Sequence, residues 1–226
     1  MTRTPVALSW SGGKDSSLAL HRLRAGTEHE VVTLLTSVTR EYDRVSIHGV
    51  RRALLEQQAD ALRLPLIEVA LEPRSSDAAY QRAFLAALET LATAHPDVRQ
   101  IAFGDLYLRD VRAYRDRLLE GTAYRGLYPL WERPTRALAE SFIADGFAAT
   151  LVCVDNTQLD SSFAGRRFDR ALLDALPATA DPCGENGEFH TFVHEGPIFD
   201  APIGVVTGEI VIRDERFTYC DLLPTS

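Results

Sequence analysis

Lys14 is the only lysine in 226 residues, and it stands in Ser11-Gly12-Gly13-Lys14-Asp15-Ser16. An ammonium meets a phosphate oxygen as a flexible point charge, a role the planar guanidinium of arginine does not duplicate. Gly12 and Gly13 permit positive φ and leave backbone N–H groups uncovered toward an anion. The apolar run Val6, Ala7, Leu8 precedes the segment, and Leu18, Ala19, Leu20 and Leu23 follow at helical spacing. The segment thus reads as strand, glycine turn and helix N-terminus, where unpaired N–H groups and the positive dipole end favour phosphate. Asp15 is the informative neighbour. A carboxylate beside a polyphosphate is repelled unless a cation lies between, which points to Mg²⁺ held at Asp15. Ser9, Ser11, Ser16 and Ser17 add hydroxyls for phosphate oxygens or for the helix cap.

An ordinary Ser-Gly-Gly turn capped by Asp15 is the plain alternative. Strand and helix signals on both sides argue against it. Gly-x-x-x-x-Gly-Lys-Ser/Thr and Gly-x-Ser-x-Gly are both absent around Ser11, which excludes a kinase-like P-loop and a nucleophilic serine there.

Positioning such a loop requires a sheet. Strand patterns fall at Val6 to Ser9, Val31 to Thr36, Leu66 to Leu71, Gln100 to Phe103 and Ala148 to Val154. Helical spacing joins Ile47, Val50, Leu54, Ala61 and Leu62, and again Phe84, Leu88, Leu91 and Ala92. This alternation predicts α/β architecture with right-handed crossovers and a parallel sheet, whose ligands bind at strand carboxyl ends. Beyond Gly126 the pattern changes. A short helix is expected from Pro134 to Asp145 and a loop from Pro177 to Gly187. A hairpin follows, of Glu209 to Ile212 and Phe217 to Leu222 joined at Arg213-Asp214-Glu215-Arg216. The expected plan is a nucleotide-binding domain over residues 1–126 and a smaller α+β substrate domain over 127–226.

Ser-Gly-Gly-Lys-Asp-Ser resembles the pyrophosphate loop (PP-loop) of ATP pyrophosphatases with the Rossmann-like adenine-nucleotide α-hydrolase (HUP) fold. Phe103-Gly104-Asp105-Leu106, Tyr128-Pro129-Leu130-Trp131 and Gly184-Glu185-Asn186-Gly187-Glu188-Phe189-His190-Thr191-Phe192 follow in order. Together they are similar to the diphthine–ammonia ligase family, in particular its shorter bacterial-type members, across nearly the whole chain. The resemblance implies that ATP adenylates a carboxylate with release of pyrophosphate, and that ammonia then displaces AMP to give an amide. Known members act on diphthine of elongation factor 2; a small metabolite is the other acceptor considered. It implies nucleotide contacts from Thr36, Ser37, His48, Gly104 and Asp105, and substrate contacts from Arg109, Arg112, Glu185, Asn186, Glu188 and His190. Lys14, Asp15, Glu185 and Glu188 are the implied catalytic set. The chain departs from the family pattern where His190 replaces a usual glutamate and Asn186 a common glycine.

Each of these has a plain reading beside it. Glu185 and Glu188 are otherwise solvated loop acids, and His48 a polar residue at a helix start. If Phe189 to His194 is extended, four residues span about 13 Å, too far for His190 and His194 to share one ion. Cys153 and Cys183 raise a thiolation chemistry, but Cys153 falls in an apolar strand where a small buried role is common.

Bulk properties narrow the classes. Hydrophobic residues form 46% and charged residues 25% of the chain, the profile of a globular protein. No apolar run approaches a spanning helix. Three scattered cysteines without an export signal fit a cytoplasmic enzyme. A formal charge of −8 argues against nucleic-acid partners, although seven arginines lie between Arg109 and Arg136. A homodimer is compatible with all of this. The rival readings are a nucleotide-binding sensor with little turnover, and an enzyme of the same fold that modifies a base in RNA.

Overall fold

The computed structural model describes residues 2–45 and 49–225. Its first sheet contains β1 (Thr4–Ser9), β2 (His29–Thr39), β3 (Arg44–Val45), β4 (Leu66–Leu71), β5 (Gln100–Ala102) and β6 (Arg125–Leu127). Five of these run parallel in the order β4-β2-β1-β5-β6. β2 is long enough to serve two neighbours. His29 to Leu35 pairs with β1, and Leu34 to Thr39 pairs with β4. The two-residue β3 folds back antiparallel on the tip of β2.

Both faces of this sheet are covered, as parallel sheets require. Val6 and Leu8 pack into one core with α1 (Lys14–Ala25) and α2 (Arg52–Leu62). Ala7 points into the other, with α3 (Asp77–Ala94) and the end of α4 (Arg109–Leu119). Alternation along β1 thus divides the apolar residues between two layers. The expected α/β class holds.

A second, antiparallel sheet follows in the order β8-β7-β10-β9, from β7 (Ala148–Asp155), β8 (Phe189–Glu195), β9 (Val205–Arg213) and β10 (Phe217–Pro224). Two short helices, α5 (Thr135–Ala144) and α6 (Arg170–Ala175), accompany it. Phe142 stacks on Phe147 at 4.8 Å and meets Phe168 edge-on at 5.4 Å. The hairpin turn falls where expected. Asp214 and Glu215 both have positive φ and Arg216 N–H donates to the Arg213 carbonyl, the turn geometry that matches strand twist.

Several bounds differ from the sequence reading. β2 runs past Thr36 to Thr39 because β3 and β4 continue its ladder. α3 starts at Asp77, where the Ser76 hydroxyl accepts from Ala79 N–H; alanines in its first turns mute the apolar stripe. α4 buries only Leu118 and Leu119, with Tyr114 packed against the same core and charged residues over most of the rest. α2 opens at Arg52, and the expected Ile47 and His48 lie outside the described residues.

Candidate functional site

Strand order reverses between β1 and β5: from β1 the chain builds outward to β2 and β4, then returns to β5 on the other side. A crevice opens outside the carboxyl ends of the strands at such a switch point. Here it is flanked by the turn after β1, Trp10 to Gly13, and the turn after β5, Phe103 to Leu106. Gly104 brings them together. A Cβ on Gly104 would lie 3.0 Å from the Asp15 carbonyl carbon and 3.1 Å from the Ser16 nitrogen, so a larger residue would push the two turns apart by a few tenths of an ångström.

The glycine turn is held from below. Gly12 has φ of 76°, a left-handed conformation suited to glycine. Gly13 is the N-cap of α1 and offers no side-chain cap, leaving first-turn amides for another acceptor. Ser16 and Ser17 hydroxyls donate to the Gly13 carbonyl at 2.9 and 3.0 Å, and Ser11 Oγ lies 3.3 Å from Ser16 Oγ. Gln58, wholly buried, accepts from Trp10 Nε1 at 2.9 Å and donates to the carbonyls of Gly12 and Val193. Val193 N–H also donates to Gly12 O, and Lys14 N–H donates to Thr191 Oγ1 at 3.0 Å. β8 of the second sheet therefore seats the turn of the first.

Lys14 itself is turned inward. Its side chain is 2% exposed, and its ammonium donates to both carboxylate oxygens of Asp15, at 2.7 and 2.9 Å. It also lies 5.9 and 5.8 Å from the ring centres of Phe168 and Phe189. Burial opposes the charge, but Asp15 foremost, then Cys183 and Glu185, outweigh it and hold the ammonium above its ordinary pKa.

Outward from the turn lies a cavity of about 610 Å³, lined by Ser9, Trp10 and Ser11, by Ser37 and Thr39 of β2, and by Tyr80, Tyr114 and Arg115. That volume suits a nucleotide-sized ligand. Thr36 is buried and does not line it, because alternation along β2 turns it the other way while Ser37 faces the space.

The late glutamate loop reaches the same corner. Glu185 accepts from Leu106 N–H at 2.8 Å and Tyr107 N–H at 3.3 Å, so it grips the turn after β5. Burial and the nearby Asp15 charge push it up to about 7 against the lowering effect of those amides. Glu188 is 1% exposed; its Oε1 accepts from Asp181 N–H and Asn186 Nδ2, while its buried Oε2 has no partner. Asn186 also accepts from the Tyr107 hydroxyl. His190, on β8, is pushed down to about 4 by burial and then by the Lys14 charge, so its imidazole is neutral at pH 7.

Residues 4–125 match the family model for the diphthamide synthase N-terminal domain, and residues 134–222 that for the diphthamide synthase C-terminal domain. The chain belongs to the diphthamide synthase family. It is 26% identical over 219 residues to a diphthine–ammonia ligase of Schizosaccharomyces pombe, covering 89% of this chain and 36% of that protein. It is 25% identical to diphthine–ammonia ligases of Rattus norvegicus and Homo sapiens, covering 92% of this chain and 85% of each relative. This diphthamide synthase homologue thus spans about a third of the fission-yeast protein's length and most of the mammalian ones.

Within this diphthamide synthase chain, the remaining expected residues are distributed unevenly. Asp105 is 16% exposed in its side chain and 3.6 Å from Arg115. Burial raises its pKa, Arg115 opposes the rise, and Asp15 adds to it. Arg109 is 86% exposed and lies 3.7 Å from Glu132. Arg112 lies against Tyr128 and Trp131, 4.5 and 4.6 Å from their ring centres, away from the cavity lining. Arg115, three residues further along α4, lines the cavity together with Arg74. Three residues that the sequence reading did not assign to the site complete it: Arg115, Gln58 and Thr191. Gln58 is an amide inside an amphipathic helix, and Thr191 one hydroxyl on a buried strand. The thiols of Cys153 and Cys183 are pushed up by burial to about 11 and about 12, so both are protonated at neutral pH. Among the described residues, no three His, Cys, Asp or Glu side chains converge as a metal site, and no helix is long and apolar enough to cross a membrane.

Proposed function

We propose that this chain is an ATP-dependent, AMP-forming amide ligase of the cytoplasm, with an ATP-binding part over residues 1–126 and a substrate-binding part over 127–226. ATP would lie in the switch-point cavity, with its adenine toward Ser37 and Thr39 and its β- and γ-phosphates on the amides and hydroxyls of Ser11 to Ser17. The observation that carries this reading is that the glycine turn's own residues, Ser9 to Ser11, line a nucleotide-sized cavity at the carboxyl end of β1.

Attack of a carboxylate oxygen on the α-phosphorus would form an acyl adenylate and release pyrophosphate. The Gly12 and Gly13 backbone and the Lys14 ammonium, exchanging Asp15 for phosphate, would stabilise the charge that develops there. Ammonia would then displace AMP. Glu185, half-ionised near pH 7, is the proposed base that strips ammonium of its proton. Glu188 and Asn186 would fix the nitrogen donor or acceptor, and His190 would offer them a neutral imidazole. Arg109 and Arg112 lie toward solvent, where they would meet an acidic face of the acceptor.

The residues fit a Mg²⁺ ion as far as ATP chemistry needs one. Such ions take one or two carboxylates and fill the rest with phosphate and water. Asp15 would hold it, and Asp105, whose buried Oδ2 has no hydrogen bond among the described residues, would support it. When bound, the ion would neutralise the polyphosphate.

The relatives' names make diphthine and ammonia the first substrates to test. Purified protein would be incubated with ATP, ammonium and either diphthine-bearing elongation factor 2 or a panel of carboxylate metabolites. AMP and pyrophosphate, stimulated by one acceptor, are expected. ADP with orthophosphate would refute the reading, and ATP binding that no carboxylate converts to turnover would favour a sensor.

A further inference from the structure

β9 is an outer strand of the second sheet, hydrogen-bonded on one side only among the described residues. Open strand edges are templates for pairing and are ordinarily blunted by bulges or by charge. On β9 the blunting stops partway. Ile210 pairs with Cys220, but Thr207 already pairs with Leu222, so one extra residue bulges at Gly208 and Glu209. Beyond it, Glu209 to Arg213 continues as regular strand up to the turn.

The side chains on that stretch are placed the wrong way round for a solvent edge. Ile210 and Ile212 sit opposite Cys220 and Thr218, which are 3% and 1% exposed, so they occupy the inner face of the sheet. Yet Ile210 is 54% and Ile212 63% exposed. The apolar inner face therefore runs on past the layer that covers it. Glu209 and Arg213, two positions either side of Val211, are exposed as well.

We infer that Glu209 to Arg213 is an interface between two copies of this chain, paired antiparallel about a two-fold axis at Val211. That register sets Ile210 of one copy opposite Ile212 of the other, twice, closing the apolar face. It also sets Glu209 opposite Arg213, twice, on the other face. Shifting the axis to Glu209 would instead oppose two glutamates and bring the bulge into the ladder. Self-complementarity of one patch is what a two-fold dimer demands, and charge selects the register.

The full-length protein would be examined by analytical ultracentrifugation. A dimer is expected. Glu209→Arg alone and Arg213→Glu alone should each weaken it about tenfold, since symmetry places the repulsion twice. The double exchange, Glu209→Arg with Arg213→Glu, should restore it. These exposed substitutions spare the fold, checked by circular dichroism. A monomeric wild type, single variants that dimerise normally, or a double variant no better than the singles would each overturn the inference. Ligase activity does not enter the readout.

Discussion

Glu185 carries the clearest residue-scale prediction. A base with a pKa of about 7 loses activity as pH falls through that value, because protonation removes its lone pair. Glu185→Gln should lower kcat by about 10²–10⁴-fold and erase that acidic limb, as followed by AMP release against pH. An unchanged profile would assign the limb elsewhere. Gly104→Ala tests the close approach at the crevice. The added Cβ meets the backbone of Asp15 and Ser16, so the α1 entrance must shift, and kcat/KM for ATP should fall roughly 10²-fold. At this scale the sequence was readable where the chemistry was contiguous: Ser11 to Ser17 sit together in the chain and in space. Gln58 and Thr191 were not readable, because ordinary polar residues acquire their meaning from a partner 46 and 177 positions away. The inward course of Lys14 depends likewise on Phe168, between β7 and α6, and on Phe189 of β8.

Among the elements, the β9–β10 hairpin holds two non-glycine residues at positive φ, Asp214 at 51° and Glu215 at 54°. Glu215→Gly should relieve that conformation and raise stability by about 1 kcal/mol in urea unfolding. The base of the same hairpin is pinned by Arg216, whose Nη2 lies 2.6 Å from the 1%-exposed Asp155. The Arg216 hydrogen bonds hold the Asp155 carboxyl well below the usual carboxylate range, against the opposing effect of burial. Such a group adds stability above its unfolded pKa of about 3.9, lost as pH falls through its folded value. Arg216→Ala should therefore cost about 2 kcal/mol at pH 7, discounted because the guanidinium is half exposed, and much less at pH 2. The longer strands and the hairpin were legible as apolar or β-branched runs ending in turn residues, whereas the two-residue β3 and three-residue β6 were too short to leave such a run. α4 was not legible, since its buried residues are its last two leucines and six of the nine positions before them are charged.

For the whole molecule, the glycine turn joins two sheets. Gln58 and the Lys14–Thr191 bond tie it to β8, so a ligand that fixes the turn should stabilise both halves at once. Thermal unfolding should show one transition that rises with ATP, by about 2.7 kcal/mol at a hundredfold excess over Kd. Two transitions, only one of them moved by ATP, would separate the halves. The parallel sheet followed from strand–helix alternation, whereas its strand order and the way the second sheet seats the loop rest on contacts no local pattern encodes. The most direct test is a crystal structure with a non-hydrolysable ATP analogue. The β- and γ-phosphates should rest on the amides of Gly12, Gly13, Asp15 and Ser16, with the α-phosphorus open toward the Glu185 loop. Phosphates bound elsewhere, with side chains filling the Ser9–Ser11 corner, would contradict the account.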